Sequence, residues 1–303
     1  MENEKVTILM SSYNGEKYIT EQIESLVQQT YPNIQILIRD DGSSDNTINI
    51  IKKFQEKYNN IKLIEGENLG FINSFFELLK ISEKSDYYAY CDQDDVWMKD
   101  KIERAVSFLK KEPKEIPLLY FSNSDYYDTD MNFLATAERE KIYNFRNSLV
   151  ECVTQGMTMV INETTRNTIV ENKPEHCLYH DWWTYMICSG FGKIIYDNKS
   201  LVKYRRHNKS VTVEGKNFIE LFIFRVKKFL IGDSLKQIKL QWKDFERFFY
   251  KNLNDENKEL LKLFTHKYNL FIALRKIFYP KRFRKKFIDE LSVRLLFLFG
   301  KLW

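Results

Sequence analysis

The stretch Tyr90-Cys91-Asp92-Gln93-Asp94-Asp95-Val96-Trp97 decides how this chain is read. It follows Ser85-Asp86-Tyr87-Tyr88-Ala89, an aromatic run with the composition of a buried strand. A core strand that ends in three carboxylates carries an electrostatic cost, because crowded like charges raise one another's pKa values unless a cation intervenes. A divalent metal holding a phosphate supplies that cation, and hard oxygen ligands suit Mg2+ or Mn2+. A polar loop at a strand end explains the same residues more plainly. The flanking sequence separates the two.

Upstream, strand and helix patterns alternate. Val6-Thr7-Ile8-Leu9-Met10 has no polar face and is broken by Ser11-Ser12-Tyr13-Asn14-Gly15. Ile19, Ile23, Leu26 and Val27 then repeat at helical spacing. Ile34–Ile38 is a second strand and also ends in acids, Arg39-Asp40-Asp41-Gly42-Ser43-Ser44-Asp45, with Asp45 as an expected helix N-cap. Ile61–Ile64 is a third, followed by a turn at Gly66, Asn68 and Gly70 and a helix over 71–82. This alternation predicts an α/β fold with a parallel, doubly wound sheet, in which ligands bind beyond the carboxyl ends of the strands. Ser11, Asp41 and Asp92 all fall at such ends. No Gly-x-Gly-x-x-Gly follows a strand and no Gly-x4-Gly-Lys-Ser/Thr occurs, which argues against a dinucleotide-binding enzyme or a P-loop NTPase.

With 303 residues, 44% hydrophobic and 15% aromatic, the chain has enough apolar material for a full core. Four cysteines without a CxxC pair suggest reduced thiols in a cytoplasmic protein. The polar start predicts no signal peptide, and no apolar run approaches a membrane span. The net charge of +5 is uneven: residues 216–303 hold 21 Lys and Arg against 9 Asp and Glu, or +12, and residues 1–215 are at −7. Such a reversal marks two parts with different partners.

The ordered set Ser11–Gly15, Asp40–Asp45 and Asp92–Asp95 resembles the motifs of family 2 glycosyltransferases with the GT-A fold, a Rossmann-like nucleotide-diphospho-sugar transferase domain. The segment Cys91–Trp97, taken with Tyr204-Arg205-Arg206-His207, is similar to bacterial rhamnosyltransferases of that family, which build cell-surface polysaccharides. The resemblance implies a GT-A domain over 1–215, with a nucleotide-sugar half (1–97) and an acceptor half (98–215), and leaves 216–303 as a basic helical extension. It implies that Ser11, Tyr13 and Asn14 line the base and ribose, and that Asp41 accepts the imide N–H of uracil or thymine. Asp92 is implied at the ribose or at metal-bound water. Asp94 is implied as ligand of Mn2+ or Mg2+, with Asp95 as a further ligand or the residue that orders the loop, His207 near the metal as another ligand, and Arg206 on phosphate. Asp181, in His180-Asp181-Trp182-Trp183, stands where the family carries its catalytic base. Trp97, Trp182 and Trp183 are candidate faces for an acceptor sugar.

Each residue also has a structural alternative: a turn acid for Asp41, an N-cap for Asp181, a solvated basic turn for His207, and ordinary core for the tryptophans. His176 and His180 have zinc-ligand spacing without further ligands nearby. The implied donor is dTDP-rhamnose or a UDP-hexose, and the implied acceptor is a saccharide, lipid-linked. In the extension, Phe287, Leu291, Leu295, Leu298, Phe299 and Leu302 keep helical spacing behind Lys281–Lys286. A basic, apolar pattern of this kind suits an anionic membrane surface, the inner face of the plasma membrane for a cytoplasmic enzyme. A partner or homo-oligomer contact fits the same pattern, and no nucleic-acid motif accompanies it. Two other classes stand as rivals. A nucleotidyltransferase needs a Gly-rich basic loop after the first strand that Ser11–Gly15 does not provide. A catalytically inactive scaffold on the membrane would have lost acids that are all present here.

Overall fold

A strand without a polar face needs cover on both sides, and Val6–Met10 receives it. In the computed structural model, which describes residues 4–138, 143–206, 234–267, 269–284 and 287–298, β1 (Val6–Ser12) runs parallel to β2 (Ile34–Asp40) and to β4 (Tyr87–Cys91). β3 (Ile61–Glu65) extends the parallel set beyond β2. The crossovers are α1 (Ile19–Val27), α2 (Thr47–Lys57) and α3 (Phe71–Ile81). α1 buries Ile19, Ile23 and Leu26 at four- and three-residue steps. α2 begins two residues after Asp45, whose carboxylate accepts the Thr47 N–H at 3.0 Å, so the expected cap acts from just outside the helix.

The remaining strands are β5 (Val96–Trp97), β6 (Leu118–Tyr127), β7 (Phe133–Thr136), β8 (Met159–Asn162) and β9 (Lys193–Arg205). The sheet runs β3-β2-β1-β4-β8-β6-β9-β5, with β7 beside β6. β8 is antiparallel to both β4 and β6, and β6 and β9 are parallel. The strand expected over 155–161 starts later, because Gly156–Thr158 forms a 3-10 turn. α4 (Lys101–Leu109) and α6 (Glu163–Glu171) also pack on this sheet, α6 capped by the Asn162 side chain. The fold is mixed α/β of the GT-A type, followed by helices.

Two compact units result. The first comprises residues 4–138, 154–173 and 192–206 and contains the whole sheet. The second comprises 143–153, 174–191 and 234–298: α5 (Phe145–Ser148), α7 (His180–Phe191), α8 (Ser234–Phe249), α9 (Asp255–Thr265), α10 (Leu270–Ile277) and α11 (Phe287–Leu298). Packing thus groups 143–153 and 174–191 with the C-terminal helices. The reason is α7, which is buried along most of its length, with Trp183 enclosed by Phe245, Phe248 and Phe249.

Candidate active site

The carboxyl ends of β1, β2 and β4 open into a cleft of about 490 Å³ lined by Ser11, Tyr13, Asp41, Asp92, Asp94 and, from α3 and its approach, Asn68, Gly70, Phe71 and Phe75. Tyr13 and Phe71 are about half exposed at this cleft. Five of the residues expected at a donor site therefore meet here, contributed by three strands far apart in sequence.

The end of β2 is saturated. Asp40 is fully buried and accepts from Ser43 N–H at 2.7 Å, Ser43 Oγ at 2.7 Å and Ser12 Oγ at 2.9 Å. Asp41 accepts the N–H groups of Leu69 at 2.8 Å and Gly70 at 2.9 Å, and forms a buried ion pair with Arg39. Gly70 holds a φ of +76°, the region a side chain disfavours, and this aims its N–H at Asp41. Gly66 leaves room for the Arg39 guanidinium, which would lie 2.5 Å from any Cβ there. Three donors thus fix Asp41, and a lone pair remains for a donor in the cleft.

The end of β4 is the opposite. Asp95 is fully buried; its Oδ1 accepts the Arg205 N–H at 3.0 Å and its Oδ2 has no hydrogen-bond partner. Burial, then the charges of Asp94 and Asp92, push its pKa well up. Gln93, between the acids, pairs with the Tyr13 backbone, accepting its N–H at 2.8 Å and donating to its carbonyl at 3.0 Å. Gly15 allows this, since a Cβ there would overlap the Gln93 side chain.

Residues 7–167 match the family model of glycosyl transferase family 2. The chain belongs to that family. It is 32% identical over 220 residues to the dTDP-rhamnosyl transferase RfbG of Shigella flexneri, a match covering 66% of this chain and 72% of the relative. It is 31% identical over 163 residues to the Escherichia coli UDP-Glc:alpha-D-GlcNAc-diphosphoundecaprenol beta-1,3-glucosyltransferase WfaP, covering 53% and 62% respectively. In fold it is similar to S. aureus TarS in complex with UDP-GlcNAc, with a TM-score of 0.56 at 17% identity over 98% of this chain and 92% of that one. A Pyrobaculum calidifontis mannosyltransferase solved with GDP-Man and Mn2+ has a TM-score of 0.55 at 13% identity, over 99% of this chain and 86% of that one.

Several expected site residues of this glycosyltransferase lie elsewhere. Asn14 (φ +47°) does not line the cleft; it ties the first motif to the second, its Oδ1 accepting the Ser44 N–H at 2.9 Å. Asp95 does not line it either; it is buried and accepts the Arg205 N–H at the end of β9. Arg206 stacks its guanidinium 3.9 Å from the Tyr126 ring and also lies off the cleft, so the phosphate contact expected of it is not made ready. Arg205 lines the cleft instead. Its guanidinium donates to the Asp94 carbonyl at 2.9 Å and the Thr129 carbonyl at 2.8 Å, pairs with Glu21, and lies over the Tyr18 ring. These contacts fix the loop that carries the acids. His207 lies outside the described residues.

Trp97 is 3% exposed, with Lys101 Nζ 3.6 Å over its ring, which leaves no face for a sugar. Burial pushes the Lys101 pKa down to about 7, and its Nζ has no hydrogen-bond partner. In the second unit, Trp183 is fully buried among phenylalanines and Trp182 is buried with its Nε1 donating to the Ser148 carbonyl at 2.6 Å. Both are core, because α7 has little exposed surface to offer. Asp181 stands half-buried in the first turn of α7 and accepts the Trp182 N–H at 2.8 Å. His176 faces Asp244 at 3.4 Å, and His180 is buried.

Among the described residues, no three His, Cys, Asp or Glu side chains converge as a ready-made metal cage. The donor set still fits a hard cation. Asp92 and Asp94 bring carboxylates to the cleft, and Asp95 lies buried behind them with an Oδ2 that no described residue hydrogen-bonds. Mg2+ and Mn2+ sites commonly use one or two carboxylates, with substrate phosphates and water completing the shell.

Proposed function

We propose that this enzyme transfers rhamnose from dTDP-rhamnose to a saccharide acceptor carried on a lipid, during synthesis of a bacterial surface polysaccharide. The carrying observation is the convergence of Asp41, Asp92 and Asp94 with Tyr13 and Phe71 in one cleft at the strand ends. The Shigella relative supports the donor, and the Escherichia coli relative supports a diphosphate-lipid acceptor. The latter also gives a second reading, a UDP-hexose donor, for which the same cleft is suited.

In this reading the free lone pair of Asp41 takes the imide N–H of thymine or uracil, a discrimination against bases that present an acceptor there. Tyr13 and Phe71 flank the base or ribose. Asp92 and Asp94 would hold Mn2+ or Mg2+ together with the diphosphate. The ion, when bound, neutralises charge on the leaving nucleoside diphosphate. Asp181 accepts the proton of the acceptor hydroxyl as the oxygen bonds to the anomeric carbon and the phosphate oxygen departs, which inverts that carbon. The reaction belongs to the cytoplasm, at the inner face of the plasma membrane.

Thermal shift with Mn2+ and dTDP, UDP, GDP or ADP tests the donor, since a ligand bound only by the folded state raises Tm. Metal-dependent stabilisation by dTDP exceeding that by UDP, followed by turnover of dTDP-rhamnose, is the expected result. Preference for UDP selects the hexose reading. No shift with any nucleotide would sink both and leave an inactive scaffold.

A further inference from the structure

The second unit leaves an unusual amount of apolar surface open. Sixteen large apolar side chains are exposed among the described residues, and eight of them lie on α10, the residue after it, and α11. On α10 and just beyond it these are Leu270, Phe271, Leu274 and Phe278; on α11 they are Phe287, Leu291, Leu295 and Leu298. Phe278 is 76% exposed and Phe271 69%. The two helices pack against each other, and α11 turns its other face inward through Val293, Leu296 and Phe297. The open stripe is therefore not a core face that failed to find its partner within the helix pair. Monomeric surfaces rarely keep large apolar side chains this concentrated without a use for them.

Charge selects the occupant. Residues 266–284 carry six Lys and Arg and no Asp or Glu. Lys276 is buried, Lys281 reaches Glu256 and Arg284 reaches Glu151. No described carboxylate pairs with Lys267, Arg275 or Arg282, and all three are exposed. Arg282 lies over the Phe287 ring at 5.5 Å, and its carbonyl is held by Arg146 Nε at 2.8 Å, so a fixed cation sits on the apolar stripe itself. Of the two acids of α11, Asp289 and Glu290, the second is buried and holds Arg294 and the backbone of residues 283 and 284. A second copy of this chain is a poor fit, because a two-fold contact through this face would set the same unpaired cations, Lys267, Arg275 and Arg282, on both sides of the interface with no described carboxylate of the stripe to answer them. No described helix is long and apolar enough to cross a membrane.

We infer that α10 and α11 dock flat on an anionic lipid surface, with Phe271, Phe278 and Phe287 entering the headgroup boundary and Lys267, Arg275 and Arg282 meeting lipid phosphates. This is the arrangement that interfacial helices use. It extends the reading of a lipid-borne acceptor, and its test involves no donor or acceptor, so the two fail separately.

The experiment is co-sedimentation of the full chain with phosphatidylcholine vesicles, with and without phosphatidylglycerol. Binding is expected only with the anionic lipid, weakening as salt rises. Phe271→Ser with Phe278→Ser is expected to weaken binding at least about tenfold, since each removes a buried ring from the interface. Both side chains are mostly exposed, so Tm should not change. Arg275→Gln with Arg282→Gln is expected to cost about tenfold and to flatten the salt dependence. No binding to anionic vesicles, or binding indifferent to both pairs, overturns the inference. A dimer in solution that Phe271→Ser with Phe278→Ser converts to monomer overturns it too, by giving the face to a second copy.

Discussion

Two strand ends lie side by side in the cleft, and each carries adjacent acids treated in opposite ways. At the end of β2, Asp40 and Asp41 are surrounded by donors, including two backbone N–H groups and a buried guanidinium on Asp41 alone. At the end of β4, Asp95 keeps an oxygen with no partner, and burial with two neighbouring carboxylates pushes its pKa up. A carboxylate that the protein satisfies is part of the scaffold and offers a ligand a fixed direction. A carboxylate whose ionised form burial and like charges disfavour is a place for charge brought from outside. The first end is suited to reading a base, the second to holding a cation and a diphosphate.

The contrast breaks first at Asp94. Its backbone carbonyl, not its carboxylate, takes Arg205 Nε, so Asp94→Ala keeps that anchor. Transfer should fall about 10³-fold, while Tm changes little. A comparable fall in Tm would make Asp94 a scaffold residue and erase the distinction. Asp41→Ala is expected to do the reverse. It leaves Arg39 buried without its anion and takes an acceptor from the Leu69 and Gly70 N–H groups, the second of which keeps Asn68 Oδ1 at 3.1 Å. Stability should drop by about 3–5 kcal/mol, as when one partner of a buried pair is removed. Denaturant unfolding measures it, and a loss below about 1 kcal/mol would show that the pair is not effectively buried.

How much of this the sequence discloses depends on range. The parallel half is legible because β1 to β4 alternate with amphipathic helices, and the position of an acid at a strand end follows from the alternation alone. The cleft residues Ser11, Asp41 and Asp92 come with it, whereas Tyr13 and Asp94 follow from the family resemblance. Arg205 is not legible, because its value comes from Tyr18, Glu21, Asp94, Asp95 and Thr129, brought together only when β9 is in place. The resemblance pointed to Arg206; the strand's alternation sends Arg205 to the cleft and Arg206 to Tyr126. The tryptophans of α7 mislead for a related reason. A helix buried on most sides has no polar period, so its aromatic residues look as available as surface ones. Gln93 carried no signal beyond lying between two acids, and its partner is a backbone that sequence cannot display.

Smaller effects sharpen the comparison from behind the cleft. Lys101 is a buried amine whose Nζ makes no hydrogen bond among the described residues and lies over the face of Trp97. Its pKa falls from 10.5 to about 7 on folding, through burial. The unfolded chain therefore binds more protons between pH 7 and 10.5, and stability rises with pH across that window. Lys101→Met should add about 1–2 kcal/mol at pH 7, with the gain shrinking toward pH 10.5; a constant gain would mean that the ammonium is not the cost. Asp95→Asn should do least. The amide carbonyl can still accept the Arg205 N–H, and the substitution keeps neutral a group whose charged form the site already disfavours. Stability should stay the same or rise by less than about 1 kcal/mol, a normal span for an isosteric change, and transfer should remain within about tenfold. A direct metal ligand would behave otherwise, with a loss near that of Asp94→Ala. The two substitutions, one residue apart, thus separate the acid that faces the substrate from the acid that holds the loop in place.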